Sequence, residues 1–300
     1  VVDRPIRPLF PKDMRNDVSV VMTVMSVDQD CSPEIAGMIG TSIALSISDI
    51  PWKGPIAGVF MGLVDGELVV NPTEKQREAS DLQLTVAASA EKIVMIEAGA
   101  NEVDEDTMLN AIKTGDAEIQ KIITFINGIV AEIGKPKIEF QSMELDHDLL
   151  EEVKRDYLDA FKAAMDTDDK NVREERLTAA RRDFADKFAE KYEDFDVNIE
   201  VCLYKMQKKV VKKWLLEGKR VDGRQMDEIR PLDAEVGVLP RVHGSGLFSR
   251  GQTQVLSICT LNTLSAAQKL DTIYPEETKR YIHHYNFPSF STGEARASRS

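Results

Sequence analysis

Arg296 and Arg299 close a stretch in which Tyr281, Tyr285, Phe287 and Phe290 are followed by Gly293 and Glu294. These residue types suit phosphate and flat rings. The planar guanidinium fork of arginine matches a phosphate through two parallel hydrogen bonds. Aromatic side chains stack on exposed bases without sequence preference. The spacing predicts a strand over Tyr281–Phe287 that leads into an arginine-bearing loop. Competing site types are missing. There is no GxxxxGK[ST] phosphate loop and no GxGxxG after a strand. His283 and His284 are adjacent, so on a strand they point to opposite faces and cannot share a metal. His243-Gly244-Ser245-Gly246 is not a nucleophile elbow, which needs glycine two residues to either side of the serine. The histidines read as hydrogen-bonded structural residues. The acid pairs Glu151-Glu152 and Asp168-Asp169 read as solvent-facing.

The elements that must position such a stretch belong to a chain of 300 residues, 42% apolar and 30% charged. That length predicts two or three soluble domains. A net charge of −13 argues against a generic nucleic-acid coat. No apolar run approaches the roughly 20 residues of a membrane span. No basic-then-apolar leader is visible, and because Val1 is not a methionine an upstream segment is expected. Cys31, Cys202 and Cys259 are scattered, which suits a reducing cytoplasm and not a disulfide framework or Cys-x-x-Cys metal site. Acid dominates from Glu144 to Glu200. A basic run follows at Lys205, Lys208, Lys209, Lys212, Lys213, Lys219 and Arg220, read as a solvated helix face.

Three textures follow along the chain. Residues 1–140 read as α/β. Val18–Val27 is a β-branched run expected to be a buried strand. Ser32-Pro33-Glu34 starts a helix that runs to about Ile47, with Gly37 and Gly40 allowing close packing on a sheet. Ile56–Val64 and Leu68–Val70 form a hairpin across Asp65-Gly66. Leu82–Ala88 and Ile93–Glu97 form a second strand pair. Asp104–Ile133 is a long amphipathic helix ended by Gly134 and Pro136. Residues 141–217 are poor in glycine and read as an all-helical segment. Leu149, Val153, Tyr157, Phe161 and Met165 step by four, and Leu177, Phe184, Phe188 and Tyr192 do much the same. Residues 218–300 return to α/β, with strands expected at Glu235–Leu239, Leu247–Ser249 and Gln254–Leu261.

Four stretches, in order, carry a resemblance: Asp3-Arg4-Pro5-Ile6-Arg7-Pro8-Leu9-Phe10-Pro11; Asp222-Gly223-Arg224 followed by Arg230-Pro231-Leu232; Val242-His243-Gly244-Ser245-Gly246-Leu247-Phe248 through Arg250-Gly251-Gln252-Thr253-Gln254; and His284-Tyr285-Asn286-Phe287-Pro288 with Gly293-Glu294. Together they resemble the polynucleotide phosphorylase family over essentially the whole chain. The first and third stretches are highly specific. The Asp222–Leu232 stretch is less so, because it fits the entry to any RNase PH domain. The resemblance implies α/β (α+β) RNase PH-like domains, built from ribosomal-protein-like βαβ units, around an all-helical middle domain. Residues 1–140 would be the C-terminal part of a first RNase PH-like domain, and residues 218–300 the N-terminal part of a second, with KH and S1 domains beyond.

The implied activity is phosphorolysis of single-stranded RNA from its 3′ end, reversible as 3′ polymerisation, in cytoplasmic mRNA turnover. Inorganic phosphate would be the co-substrate and Mg²⁺ the metal. A homotrimeric ring is implied, together with an RNA-degrading complex containing an endonuclease and a helicase. The family's phosphate and metal ligands lie beyond Ser300, so no catalytic or metal residue is assigned in this chain, and the chain alone is expected to be inactive. Tyr285, Phe287, Arg296 and Arg299 are the RNA-contact candidates, the competing readings being core packing for the two aromatics and a solvated loop for the two arginines. Arg4 and Arg7 are read as structural partners of acids. The first domain's counterpart of the serine-rich phosphate loop is Asp28-Gln29-Asp30-Cys31-Ser32-Pro33, whose two acids would repel phosphate. The alternative is a non-catalytic ring subunit that shapes an RNA channel; a protein-interaction module on the helical segment is a third reading.

Overall fold

The computed structural model describes residues 1–142, 147–188, 195–273 and 278–297. The chain divides into two compact units, Val1–Glu144 and Leu145–Ser300.

The first unit opens with a short helix α1 (Asp3–Ile6) and a 3₁₀ turn. Arg4 pairs with Glu97 at 2.7 Å and Arg7 with Asp3 at 2.8 Å, the structural role expected of both. Helix α2 (Pro33–Ile47) starts where Ser32 and Pro33 predict: the Ser32 hydroxyl accepts from the Ile35 amide at 3.4 Å. Strands β1 (Ile56–Val64) and β2 (Glu67–Val70) meet across Asp65-Gly66. Both turn residues have positive φ, 51° and 81°, as a two-residue hairpin demands. Helix α3 (Glu74–Ala79) leads to β3 (Leu82–Ser89) and β4 (Ile93–Ala100). The sheet order is β2-β1-β3-β4, antiparallel throughout, so the α+β form of the expected class is the one realised.

Helix α4 (Glu105–Ile133) is capped by the Asp104 carboxylate, which accepts from the Thr107 amide at 2.9 Å. It packs Ala111, Ile119 and Ile123 onto Val59, Met61, Leu84 and Val86 of the sheet. Gly115 permits the approach: a β-carbon there would meet Met61, Val59 and Val86 at 3.3–3.4 Å. A second cluster joins Ile6, Met38, Leu45, Trp52 and Ile56. The Trp52 indole N–H ties it to α1 by donating to the Ile6 carbonyl at 3.0 Å.

Two expectations for this unit are corrected. Val18–Val27 forms no strand; it carries no regular secondary structure, and Val21 is 82% exposed. β-branching supplies propensity, but a strand exists only where an edge pairs with it, and no described strand does. The segment instead lies against α2, whose Gly37 would place a β-carbon 2.8 Å from the Met22 sulfur. Gly37 therefore makes room for that segment and not for the sheet, and Gly40 has nothing within 4 Å of its β-carbon position.

In the second unit, α5 (His147–Met165), α6 (Lys170–Phe188) and α7 (Phe195–Leu216) form a helical bundle. The step-of-four residues Leu149, Val153, Tyr157, Phe161 and Met165 are all buried. The first four meet Phe184 and Phe188 from α6 and Cys202, Leu203 and Met206 from α7, while Met165 packs with Val210 and Trp214 of α7. Tyr192 lies outside the described residues. Cys202 is buried, and that burial pushes its thiol pKa up to about 11; Cys31 and Cys259 are exposed. Two of the three thiols are therefore expected to react promptly with a disulfide reagent in the native chain, the third only on unfolding. Three prompt thiols would contradict the bundle core.

The chain leaves α7 through a clasp centred on Asp222. Its carboxylate meets Arg224 at 2.7 Å, Arg220 at 3.4 Å and Arg230 at 3.6 Å. The Arg224 hydrogen bond is the main reason its pKa is lowered. Gly223 turns the chain at φ 74°. Strands β5 (Leu232–Val236), β6 (Gly244–Arg250) and β7 (Thr253–Cys259) follow in antiparallel order β5-β6-β7. β5 sits three residues earlier than expected, because Gly237 at φ 69° turns the chain out of the strand. The two-residue strands β8 (Gln268–Lys269) and β9 (Thr278–Lys279) pair with each other. Tyr281–Phe287, expected as a strand, has no strand partner among the described residues and is irregular.

Candidate nucleic-acid interface

Four rings alternate along the irregular segment: Tyr281, His283, Tyr285 and Phe287. The Tyr281 and His283 rings lie 6.4 Å apart, and Tyr285 and Phe287 lie 6.2 Å apart, tilted by 32°. Tyr285 is 70% exposed and Phe287 65%. Both predicted aromatics thus stand out from the chain and are not packed in a core. Sequence reasoning grouped Tyr281 with these aromatics but missed His283 as a member of the same row; its odd-numbered spacing was the available signal. The Tyr281 hydroxyl and His283 Nδ1 are 3.2 Å apart.

Beyond Pro288, a 3₁₀ turn (Ser289–Thr292) ends at Gly293 in the left-handed region, φ 76°. The Ser289 hydroxyl donates to the Arg296 carbonyl at 2.8 Å, which closes the loop on itself. The Arg296 side chain is 72% exposed and pairs with Glu294 at 2.6 Å. Its guanidinium is therefore shared with a neighbouring acid. Arg299 lies outside the described residues.

The Asp28–Pro33 loop spends its polar groups internally. Asp28 accepts from the Asp30 amide at 3.0 Å, and Asp30 accepts from the Glu74 amide at 2.9 Å, at the start of α3. Arg77 donates to the Pro72 carbonyl at 2.8 Å and also to the Gln29 carbonyl. Ser32 both caps α2 and donates to Glu34 at 2.7 Å. A carboxylate already sits on the α3 amide. His243 is likewise structural: its Nδ1 accepts from the Leu261 amide at 2.8 Å. Among the described residues, no group of three or more His, Cys, Asp or Glu side chains converges as metal ligands. No step is derived through the Mg²⁺ that the family resemblance implies. Also among the described residues, no helix is long and apolar enough to cross a membrane.

Family models match three successive parts of the chain. Residues 54–118 match domain 2 of the 3′ exoribonuclease family. Residues 148–225 match the polyribonucleotide nucleotidyltransferase RNA binding domain, and residues 228–300 match domain 1 of the 3′ exoribonuclease family. The chain belongs to the 3′ exoribonuclease family. Within that family it is similar along its whole length to polyribonucleotide nucleotidyltransferases. It is 56% identical over 300 residues to that of Ruminiclostridium cellulolyticum, covering 100% of this chain and 43% of the relative. It is 51% identical over 301 residues to that of Heliobacterium modesticaldum, covering 100% of this chain and 42% of the relative. Identity is 49% over 300 residues to that of Caldicellulosiruptor saccharolyticus, with 100% and 43% covered. The chain thus spans less than half the length of the relatives it matches.

Proposed function

We propose that this chain is the part of a phosphate-dependent 3′-to-5′ exoribonuclease that joins two RNase PH-like domains: residues 1–140 from the first, 141–217 the helical connection, and 218–300 from the second. The observation that carries this reading is the 56% identity, along the entire chain, to a protein named polyribonucleotide nucleotidyltransferase. The order of the matched domains agrees with it. The substrate is single-stranded RNA. An oxygen of inorganic phosphate attacks the terminal phosphodiester phosphorus. The bond to the penultimate 3′-oxygen breaks, that oxygen takes a proton, and the last nucleotide leaves as a nucleoside 5′-diphosphate. The reverse reaction adds nucleotides. Tyr285 and Phe287 stack bases near the RNA end, while Arg296 and Arg299 meet the backbone. Mg²⁺ dependence, a homotrimeric ring, cytoplasmic mRNA turnover and an assembly with an endonuclease and a helicase belong to the same reading.

The test measures ADP from oligo(A) using the parent protein extended past Ser300, with and without inorganic phosphate. ADP that appears only with phosphate is the expected result, and the 300-residue chain alone is expected to give none. AMP formed without phosphate would mean a hydrolytic nuclease and overturn the reading. A second reading, a non-catalytic ring subunit, is favoured by the Asp30 carboxylate on the α3 amide, since that loop is filled by the chain's own anion. RNA binding with no product would select it.

A further inference from the structure

Helix α7 carries a cationic surface of its own. From Val201 to Leu216 it has lysines at 205, 208, 209, 212 and 213 and no acid, in a chain of net charge −13. Its orientation is fixed. Cys202, Leu203, Met206, Val210 and Trp214 are buried on one side. Tyr204, Lys208 and Lys212 step by four, so they share one face, with Lys205 beside them. From Lys205 to Lys212 this face runs about 10 Å along the axis. Tyr204 is 64% exposed, and the Lys208 ammonium stands 5.8 Å from its ring centre.

The lysines of this face differ from others on the bundle. Lys154 pairs with Glu151, and Lys187 pairs with Asp156. Among the described residues, Lys205, Lys208 and Lys212 have no carboxylate partner within 4 Å. A helix face with unpaired ammonium groups around an exposed ring is complementary to a polyanion that carries flat groups. A solvated face would need neither the absence of acids nor the exposed tyrosine.

We infer that the α7 face of Tyr204, Lys205, Lys208 and Lys212 binds single-stranded RNA, with the lysines on the phosphate backbone and a base stacked on Tyr204. This rests on RNA being the partner proposed above. It assigns the contact within residues 148–225, which match an RNA binding domain model, to one helix face. Ammonium groups on flexible stems neutralise phosphates without reading sequence, and ring stacking tolerates any base.

The experiment measures anisotropy of a fluorescein-labelled 20-mer oligo(A) with the complete chain over a range of salt. The variants are K205Q/K208Q/K212Q, a control of equal charge change (K113Q/K162Q/K170Q), Y204A and Y204F, each first shown to melt like the wild type. The α7 triple variant is expected to bind about tenfold or more weakly at low salt. Its slope of log K against log salt should be shallower by about 2, from roughly 0.7 per phosphate lost. Y204A should weaken binding about fivefold or more at every salt with the slope kept, and Y204F should restore it. A triple variant that matches the wild type overturns the inference, as does one that matches the control. A wild-type chain without affinity removes the RNA reading itself, and the inference with it.

Discussion

Phe184→Ala is expected to cost the second unit about 3–5 kcal/mol, the range for emptying a buried phenylalanine site. The ring has no exposed surface. It stands edge-on to Tyr157 at 5.3 Å and to Phe161 at 6.4 Å, and lies 5.2 Å from Phe188. Aromatic contacts of this geometry add to simple burial. The loss is severe because Phe184 and Phe188 are the only fully buried residues of α6, with Leu177, Ala180 and Ala185 only partly buried beside them. The helix is fastened to α5 and α7 largely by two rings, so removing one releases much of its hold. A domain of this size has roughly 5–15 kcal/mol to lose. Urea unfolding followed by far-ultraviolet circular dichroism should show the midpoint of the helical transition collapse. A loss under about 1 kcal/mol would mean that the bundle core is not assembled around this ring. Phe184→Leu, which keeps most of the volume, should cost much less.

The second large effect is an alkaline loss of stability through Tyr157. The Tyr157 side chain is buried, and its hydroxyl donates to the exposed Asp183 carboxylate at 2.9 Å. Burial first, then that hydrogen bond and the charge of Asp183, push its pKa up to about 12. The unfolded tyrosine ionises near its ordinary value, about 10. The folded group holds its proton longer, so its contribution is fully present below about pH 10. It is lost as the pH rises toward about 12, because the unfolded state releases the proton first. A tenfold difference in proton affinity is worth about 1.4 kcal/mol, so the loss over this window is roughly 3 kcal/mol. Lysines titrate in the same range, so the measurement is the difference between wild type and Tyr157→Phe. Denaturant midpoints taken from pH 9 to 12 should fall more steeply for the wild type. Parallel curves would place the hydroxyl in water.

Much of the local structure was legible because its signals lie within a few residues of one another. Ser32 and Pro33 set the start of α2, Asp65-Gly66 set the hairpin, and Asp104 set the start of α4. The step-of-four apolar residues of α5 marked its buried face. Each is a contest between neighbouring groups for the same backbone amide or the same face, and distant residues need not be known to decide it. The four motif stretches carried the family resemblance for the same reason, since short motifs are read one after another.

What the fold alone decided involves partners far apart in the chain. Val18–Val27 and Tyr281–Phe287 have strand propensity, yet neither finds a pairing edge among the described residues, so both are irregular and the aromatics of the latter stand exposed. Asp222 became the centre of three arginines, of which Arg230 is eight residues away. The Asp28–Pro33 loop was recognised as acidic, but only folding put the Asp30 carboxylate on an amide 44 residues later. The lysines of α7 read as an ordinary charged face. Burial of Cys202, Met206 and Trp214 on the opposite side fixed their direction, while Glu151 and Asp156 of the bundle pair with Lys154 and Lys187. Composition states which charges exist; only packing states which remain unpaired and where they point.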